Sequence, residues 1–482
     1  MKNRKLASAL FIVIIILAAA PYFVGIMARG IIEKQAREIS RIPGYSLNIT
    51  DYDQGWFSSH ARIAYGFDQH TLDILTKPSS ENQELDQQTL KALKQGLIFD
   101  VTISHGPVTF QQGVHFALLT LSGTLRDIDH DSYKKFKEKA NIDNLLKLFV
   151  LVSYNGATEI KLNSPAFNAD YSDIAGQPMI IDSAGMDFQA SINGAFDHYE
   201  AKAHLDKIKI KARDGIVNIN QLSLQAGGDR INNYLWTGNG RFSLGEFSIK
   251  EPENTLLSLT RFDNSYTLAR ENDTALAIHI SAKVGALVGK DMKIKDVLLD
   301  LDINHLDIAA ITDYVKSIQQ SYQLPDGTEP TAEQNAKKIQ EIVTWTGERL
   351  VKSSPELAIN NLSLQLNGGS FRGDGVLSIN GQGLKNIQQL SDPVALNKRL
   401  VSRVNLKFDR KMARAIILLE LKKRRLAEKQ LDQAATAQTT VFLQNFITHG
   451  YLKQEGDNYS VLFELKNGQR MINGKPLPIP GM

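Results

Sequence analysis

The spacing of apolar and polar residues changes several times along this chain. It separates a leading uncharged run, a long stretch of two-residue alternation and a few segments of helical period. The uncharged run covers residues 6–28, with Lys2, Arg4 and Lys5 ahead of it and Arg29 behind. As a helix rising about 1.5 Å per residue it would be about 35 Å long, enough to cross a hydrocarbon core of about 30 Å. The pattern predicts a retained transmembrane anchor, with residues 1–5 as a cytoplasmic tip and residues 29–482 outside the cytoplasm, because basic residues stay on the cytoplasmic side. A cleaved signal peptide is the competing reading of Ala18, Ala19 and Ala20. The apolar run continues beyond them, however, and Pro21 stands just after the bond to be cut.

After the run, residues 30–41 have helical spacing until Pro43 and Gly44 stop it. Tyr45, Leu47 and Ile49 then alternate with polar residues. Phe57, Ala61, Ile63, Tyr65 and Phe67 alternate after Gln54-Gly55, which predicts a hairpin. Strands are expected again around Phe99, Val101 and Ile103 and from 114 to 125, with a helix between 131 and 148. Residues 148–249 read as short strands broken by Gly, Asn and Asp, helices return at 307–320 and 331–351, and a strand pair follows at 356–366 and 375–379. A long helix over 410–447, broken near 434–440, precedes a terminal hairpin at 450–474 that closes on Asn473-Gly474. The predicted class is α+β, an anchor followed by a β-rich, extended antiparallel sheet with packed helices and a sub-boundary near 250–330.

One short pattern recurs. Ile219-Asn-Gln-Leu222-Ser-Leu-Gln225 returns as Ile359-Asn-Asn-Leu362-Ser-Leu-Gln365, and residues 294–300 share its apolar spacing. Either amphipathic strands resemble one another by composition, or one strand unit is repeated across an extended sheet.

Composition narrows the picture. The 482 residues contain no cysteine, which removes disulfides, thiolate metal sites and cysteine catalysis. A formal charge of +3 gives no bulk electrostatic case for nucleic acid. The ten histidines form no HExxH spacing, and no Gly-x-Ser-x-Gly elbow is present. Residues 285–291 imitate a phosphate loop, but their glycines are one residue too close and Asp291 stands where a hydroxyl belongs. Asp300, Asp302 and Asn304 begin like a calcium loop, but His305 replaces its glycine; they read instead as the polar side of a strand. The basic run 422–425 reads as a solvated helix face, since Glu420 and Glu428 flank it. His60 and His105 occupy distinctive surroundings. A hydrolase acting on envelope material would need them to converge with Asp100 and a nucleophile in one cleft.

Three stretches carry a family resemblance: Tyr52-Asp53-Gln54-Gly55-Trp56-Phe57-Ser58-Ser59, Ile103-Ser104-His105-Gly106-Pro107, and the terminal Gly450, Tyr459, Gly468 and Asn473-Gly474-Lys475-Pro476. With the anchor ahead of them, the chain resembles the YdgA/YihF-like family of bacterial inner-membrane-anchored envelope proteins, whose function is unassigned. The resemblance implies a periplasmic domain of mixed sheet and helix and supplies no catalytic residues. Gly55 is expected to turn the chain with positive φ, Trp56 and Phe57 to lock the first hairpin to a sheet or a lipid surface, and His105-Gly106-Pro107 to end a strand in a rigid turn. The expected role is non-enzymatic, without cofactor or metal: an envelope scaffold, or a binder of an apolar ligand such as lipid. The partners expected are the membrane, lipid, other envelope proteins or a second copy of the chain.

Overall fold

The computed structural model describes residues 22, 24–34, 36–37, 40, 44–76, 87–172, 178–251, 254–321, 332–422 and 428–477. Most of the predicted anchor, residues 6–21 and 23, lies outside the described residues, as do the cytoplasmic tip and residues 423–425 of the basic run. Among the described residues no helix is long and apolar enough to cross a membrane. The chain divides into two compact units, Met1–Arg213 and Asp214–Met482.

The first unit is an antiparallel sheet of β1 (Tyr45–Gln54), β2 (Ser58–Phe67), β3 (Leu97–His105), β4 (Leu119–Leu125), β5 (Lys147–Val152), β6 (Thr158–Ser164), β7 (Phe167–Ser172), β8 (Pro178–Ser183), β9 (Met186–Ile192) and β10 (His198–Ala212). They pair in the order β1-β2-β3-β4-β5-β6-β9-β10, with β7 continuing the line of β6 and β8 that of β9 in unbroken register, so that β7 pairs with β8 and β8 with β10. Helices α1 (Gln69–Thr76) and α2 (Gln87–Gln95) join β2 to β3, and α3 (Asp131–Ala140) joins β4 to β5. Alternation decides the core: Phe99, Val101 and Ile103 of β3 are buried, while Asp100 and Thr102 between them point to the other face. Leu119, Leu121 and Val152 extend this apolar face, and residues 24–34, which are helical, close it with Ala28 and Ile32. Fully burying a side chain such as Ile103 contributes about 1.5–3 kcal/mol, so this face is where the unit is held together.

The connections at the α3 end of the sheet are charged. Asp129 accepts from Lys91 of α2 at 2.6 Å and from Lys134 of α3 at 2.9 Å. These two ammonium groups, Lys91 first, hold its carboxyl down to about 2 from an ordinary value of 3.8. A depressed carboxylate contributes its full stabilisation above its unfolded value and loses it as pH falls through the folded one, so this tie should loosen between about pH 4 and 2. A carboxyl-carbon NMR titration should place the Asp129 midpoint near 2. Lys91→Met should move it upward.

The second unit begins as a meander of long strands: β11 (Gly215–Arg230), β12 (Trp236–Lys250), β13 (Thr255–Arg270), β14 (Ala275–Gly289) and β15 (Lys293–Asp307). After α4 (Ile308–Ser321) and α5 (Ala332–Lys352) the same sheet continues with β16 (Glu356–Leu366), β17 (Gly369–Ile379) and, after α6 (Pro393–Arg399), β18 (Leu400–Asp409). Helices α7 (Arg410–Lys422) and α8 (Glu428–Thr448) precede β19 (Lys453–Glu455), β20 (Asn458–Lys466), β21 (Gln469–Ile472) and β22 (Lys475–Pro476). β20 pairs with β18, and each neighbouring pair is antiparallel. The predicted Asn473-Gly474 turn is present, with φ of 52° and 78°. Asn367-Gly368 and Asn467-Gly468 make the same two-residue turn. On α7, Met412 and Ala415 pack on Leu366, Ile294, Leu364, Phe371 and Phe408, so helix covers the sheet at that end.

Several expectations are corrected. The strand expected from 114 starts at Leu119, because residues 106–118 form a loop that closes on itself through the Thr109–His115 bridge. The helical break expected at 434–440 lies inside α8, where Thr436, Thr439 and Thr440 satisfy their hydroxyls on backbone carbonyls one turn back. Gly285 is inside β14 rather than in a turn.

Candidate functional site

Register brings the two N-terminal motifs together. β2 and β3 pair Ser58 with Ser104 and Ser59 with Ile103, and the His105 backbone N–H donates to the Phe57 carbonyl at 3.0 Å. Ser59 Oγ and His105 Nε2 share a hydrogen bond of 3.1 Å. That is the distance of a nucleophile and its base. Access decides against it: Ser59 is 0% and His105 2% exposed. Gly25 lies over the imidazole so closely that a Cβ there would be 2.7 Å from Cε1. His60 and Asp100 sit on the opposite face of the same strands. There Thr102 Oγ1 meets His60 Nδ1 at 3.2 Å and Arg62 donates to Asp100. His60, His105 and Asp100 therefore do not converge in a cleft.

The Ser59–His105 bond instead ties β2 to β3, and the leading helix packs over it at Gly25. Ser59→Ala removes this buried hydrogen bond and should cost about 1–2 kcal/mol in urea unfolding, with Ser59→Thr costing more because its added methyl enters a fully buried position.

The turn between β1 and β2 differs from expectation. Gly55 is not in the left-handed region; it is required because a Cβ would lie 2.4 Å from the Ser58 carbonyl oxygen. Trp56 and Phe57 are 52% and 63% exposed, so they are not core residues. The Trp56 ring meets Tyr22 at 5.4 Å. Gly106 has φ of 135°, and the Pro107 carbonyl accepts from Tyr154 Oη at 2.7 Å, which makes the expected rigid strand end.

The second unit carries a feature of a different kind. In β11 to β15 the apolar alternation slips by one residue, so that Ile219 and Leu222, Leu244 and Phe247, Leu259 and Phe262, Val284 and Leu287, and Ile294 and Val297 stand three apart. At the slips are Gln221, Gly245, Arg261, Gly285 and Asp296, level with one another across four strand pairs. Gln221, Arg261 and Asp296 have φ of 54°, 52° and 50°. Each faces a glycine: a Cβ on Gly245 would lie 2.6 Å from Gln221 Oε1, and one on Gly285 2.6 Å from Arg261 Nε. Left-handed backbone does not continue the two-residue pleat, so the alternation restarts behind it and apolar residues on both sides of the seam keep a common face.

The result is an amphipathic sheet on a large scale. One side carries Val217, Ile219, Leu222, Phe247, Leu244, Phe242, Leu259, Phe262 and Val284, all half-buried. Phe242 and Phe262 meet edge to face at 5.8 Å. The polar side is laced by Asn218 to Ser248, Asn220 to Glu246, Ser223 to Ser243 and Arg241 to Asp263. In β11 the recurring seven-residue pattern spans this slip, whereas its copy in β16 spans a separate register shift between Ile359 and Leu362. The sequence reading missed the seam itself, although the three-residue apolar step in five successive strands is its signal.

On the polar side His279 Nδ1 lies 2.7 Å from Asp302 Oδ1, and Asn360 Nδ2 donates to Asp302 Oδ2. Asn360 and His279 lower the Asp302 carboxyl against the opposing effect of burial. Among the described residues no group of three histidine or acidic side chains could hold a metal ion. A polar depression lined by Asp127, Lys134, Lys137 and Glu138 lies at the charged connections, away from both motifs.

These features define a β-rich protein built on long antiparallel sheets. Residues 1–480 match a family described as bacterial protein of unknown function, DUF945, and the chain belongs to that family. No curated protein and no solved structure matches the chain.

Proposed function

We propose that the chain is a single-pass inner-membrane protein of the bacterial envelope, within the YdgA/YihF-like branch, whose second unit holds acyl chains along its apolar sheet face. The observation that carries this reading is the half-exposed apolar face of β11–β15, kept continuous through the seam. Among the described residues, no cluster of buried residues forms over β11–β14, and α7 covers only the far end. A face of this size closed by side chains would form an ordinary core. Left half-exposed, it gains by covering itself with a flexible apolar ligand, at about 25 cal/mol per Å² of apolar area removed from water. The other side of the same strands carries a ladder of uncharged and paired polar groups instead.

The anchor is the stretch ahead of Tyr22. Gly25 and Ala28 are buried on the sheet of the first unit, which leaves residues 6–23, about 27 Å as helix, for the membrane. With Lys2, Arg4 and Lys5 inside, the bulk of the chain lies in the periplasm.

The role is binding rather than catalysis, since the nucleophile-like pair at Ser59 and His105 has no access for a substrate. Mass spectrometry of lipid extracted from the purified full chain tests the reading. Lipid at or near one mole or more per mole of protein, above a control membrane protein with a single anchor, supports it; recovery equal to the control removes ligand binding.

A further inference from the structure

One end of the first unit is aromatic and carries little charge: three of its turns have none, and the fourth, residues 193–197, has Phe196 and a single acid, Asp197, which accepts from Asn193. The register links His105 to Leu119, Leu119 to Val152 and Val152 to Thr158, with Ser104 beside Ser58, so the turns just beyond this row all lie at one end of the sheet. They are residues 55–57, 106–118 and 153–157, and none contains Asp, Glu, Lys or Arg. Each exposes large apolar side chains: Trp56 and Phe57, then Phe110 and Phe116 at 75% and 77% exposure, then Tyr154 at 56%. The turns are tied together by the Phe57–His105 backbone bond and by Tyr154 on Pro107. The opposite end is the charged one, with Asp127, Asp129, Lys134 and Lys137 paired among themselves and with Lys91.

This aromatic end is also where the leading segment joins the unit. Tyr22, the first described residue, has its ring on Trp56, and its carbonyl accepts from Gln54 at 3.5 Å. The described part of the 6–28 run thus begins, at Tyr22, beside these turns.

We propose that the three turns dock into the interfacial layer of the bilayer that holds the anchor, and so set the orientation of the first unit on the membrane; this rests on the anchor reading given above. Trp and Tyr favour this layer because one end of the ring system is apolar and the other can hydrogen-bond. The first and third turns are four strand spacings apart, about 19 Å, so they form a platform rather than a single point. With no basic residue in the turns, the docking depends on ring insertion and does not require anionic lipid.

The test uses the full chain in vesicles of phosphatidylcholine alone, with Trp236→Phe and Trp345→Phe so that one indole can be placed at a time. Trp56 itself is close to the anchor in any orientation, so the deciding probe is Phe116→Trp in a Trp56→Phe background. The reference is Lys135→Trp in the same background, on the exposed side of α3. The expected result is that the Phe116→Trp indole is quenched several-fold more by lipid brominated high on the acyl chain than by lipid brominated near its methyl end. The Lys135→Trp indole should be quenched by neither. Equal lack of quenching at both positions overturns the docking. Quenching is read before alkaline carbonate extraction of the same vesicles. Release by carbonate then refutes the anchor, while the quenching already measured decides the docking separately.

Discussion

Gly285→Val is expected to cost about 1–3 kcal/mol of stability, and Gly245→Val a similar amount, because each introduces a branched side chain where its neighbour leaves no room. A Cβ at these positions displaces Arg261 Nε or Gln221 Oε1, 2.6 Å away, and meets the Cβ of the same residue, which cannot swing aside, at 3.0 Å. Together the two would remove a large share of the about 5–15 kcal/mol that keeps a domain folded. Denaturant unfolding of the full chain in detergent measures this, with loss of a cooperative transition in the double variant as the strong outcome. A companion change separates the seam from ordinary packing. Arg261 has φ of 52°, which a branched side chain strains and glycine does not. Arg261→Val should therefore destabilise by about 1–2 kcal/mol, whereas Arg261→Gly should stay within about 1 kcal/mol of the parent. Equal effects from the two would mean that the guanidinium, not the backbone, matters at this position.

Phe247→Glu combined with Leu259→Glu is expected to abolish lipid recovery while leaving the fold in place. The two residues are direct partners across β12 and β13 and are half-buried on the apolar side. On an open face the new carboxylates reach water and cost little. Against bound acyl chains they lose their solvation, and an unpaired ionised group in an apolar setting carries a penalty of several kcal/mol, enough for a loss of affinity of 100-fold or more. A matched pair on the polar side, Asn239→Glu with Thr267→Glu, exposed direct partners across the same two strands, changes the same net charge, and lipid recovery there should stay within twofold of the parent. If the apolar-face variant instead fails to fold, this face is a closed core and the binding account loses its basis.

The legibility of this chain in its sequence depended on whether a pattern was local. Phe99, Val101 and Ile103 alternate with polar residues and fill one face of β3, because a two-residue period is all that a half-buried strand requires. Asn473-Gly474 makes its turn because both positions need positive φ. The same dipeptide at 367–368 and 467–468 carries an equal signal. Strands β13 and β14 were hidden by the slip at Arg261 and Gly285, which breaks strict alternation just where the sheet is most regular. The Ser59–His105 bond spans two strands and was not readable from spacing. Its closure by Gly25 depends on a helix more than thirty residues earlier in the chain. Size alone leaves Trp56 and Phe57 against either a sheet or a lipid surface, and their exposure removes the first, because a turn residue at the end of a sheet has no layer above it to be buried in.

The account's central claim is that the apolar side of β11–β15 touches acyl chains in the cell. A photo-crosslinking amino acid at Phe262 tests it most directly, with the same probe at Asp263, the next residue along β13, as the internal comparison. After irradiation of intact cells fed a radiolabelled fatty acid, label is predicted on the chain carrying the probe at Phe262 and not on the one carrying it at Asp263. Absence of label at both positions, or equal label at both, would contradict lipid binding on this face.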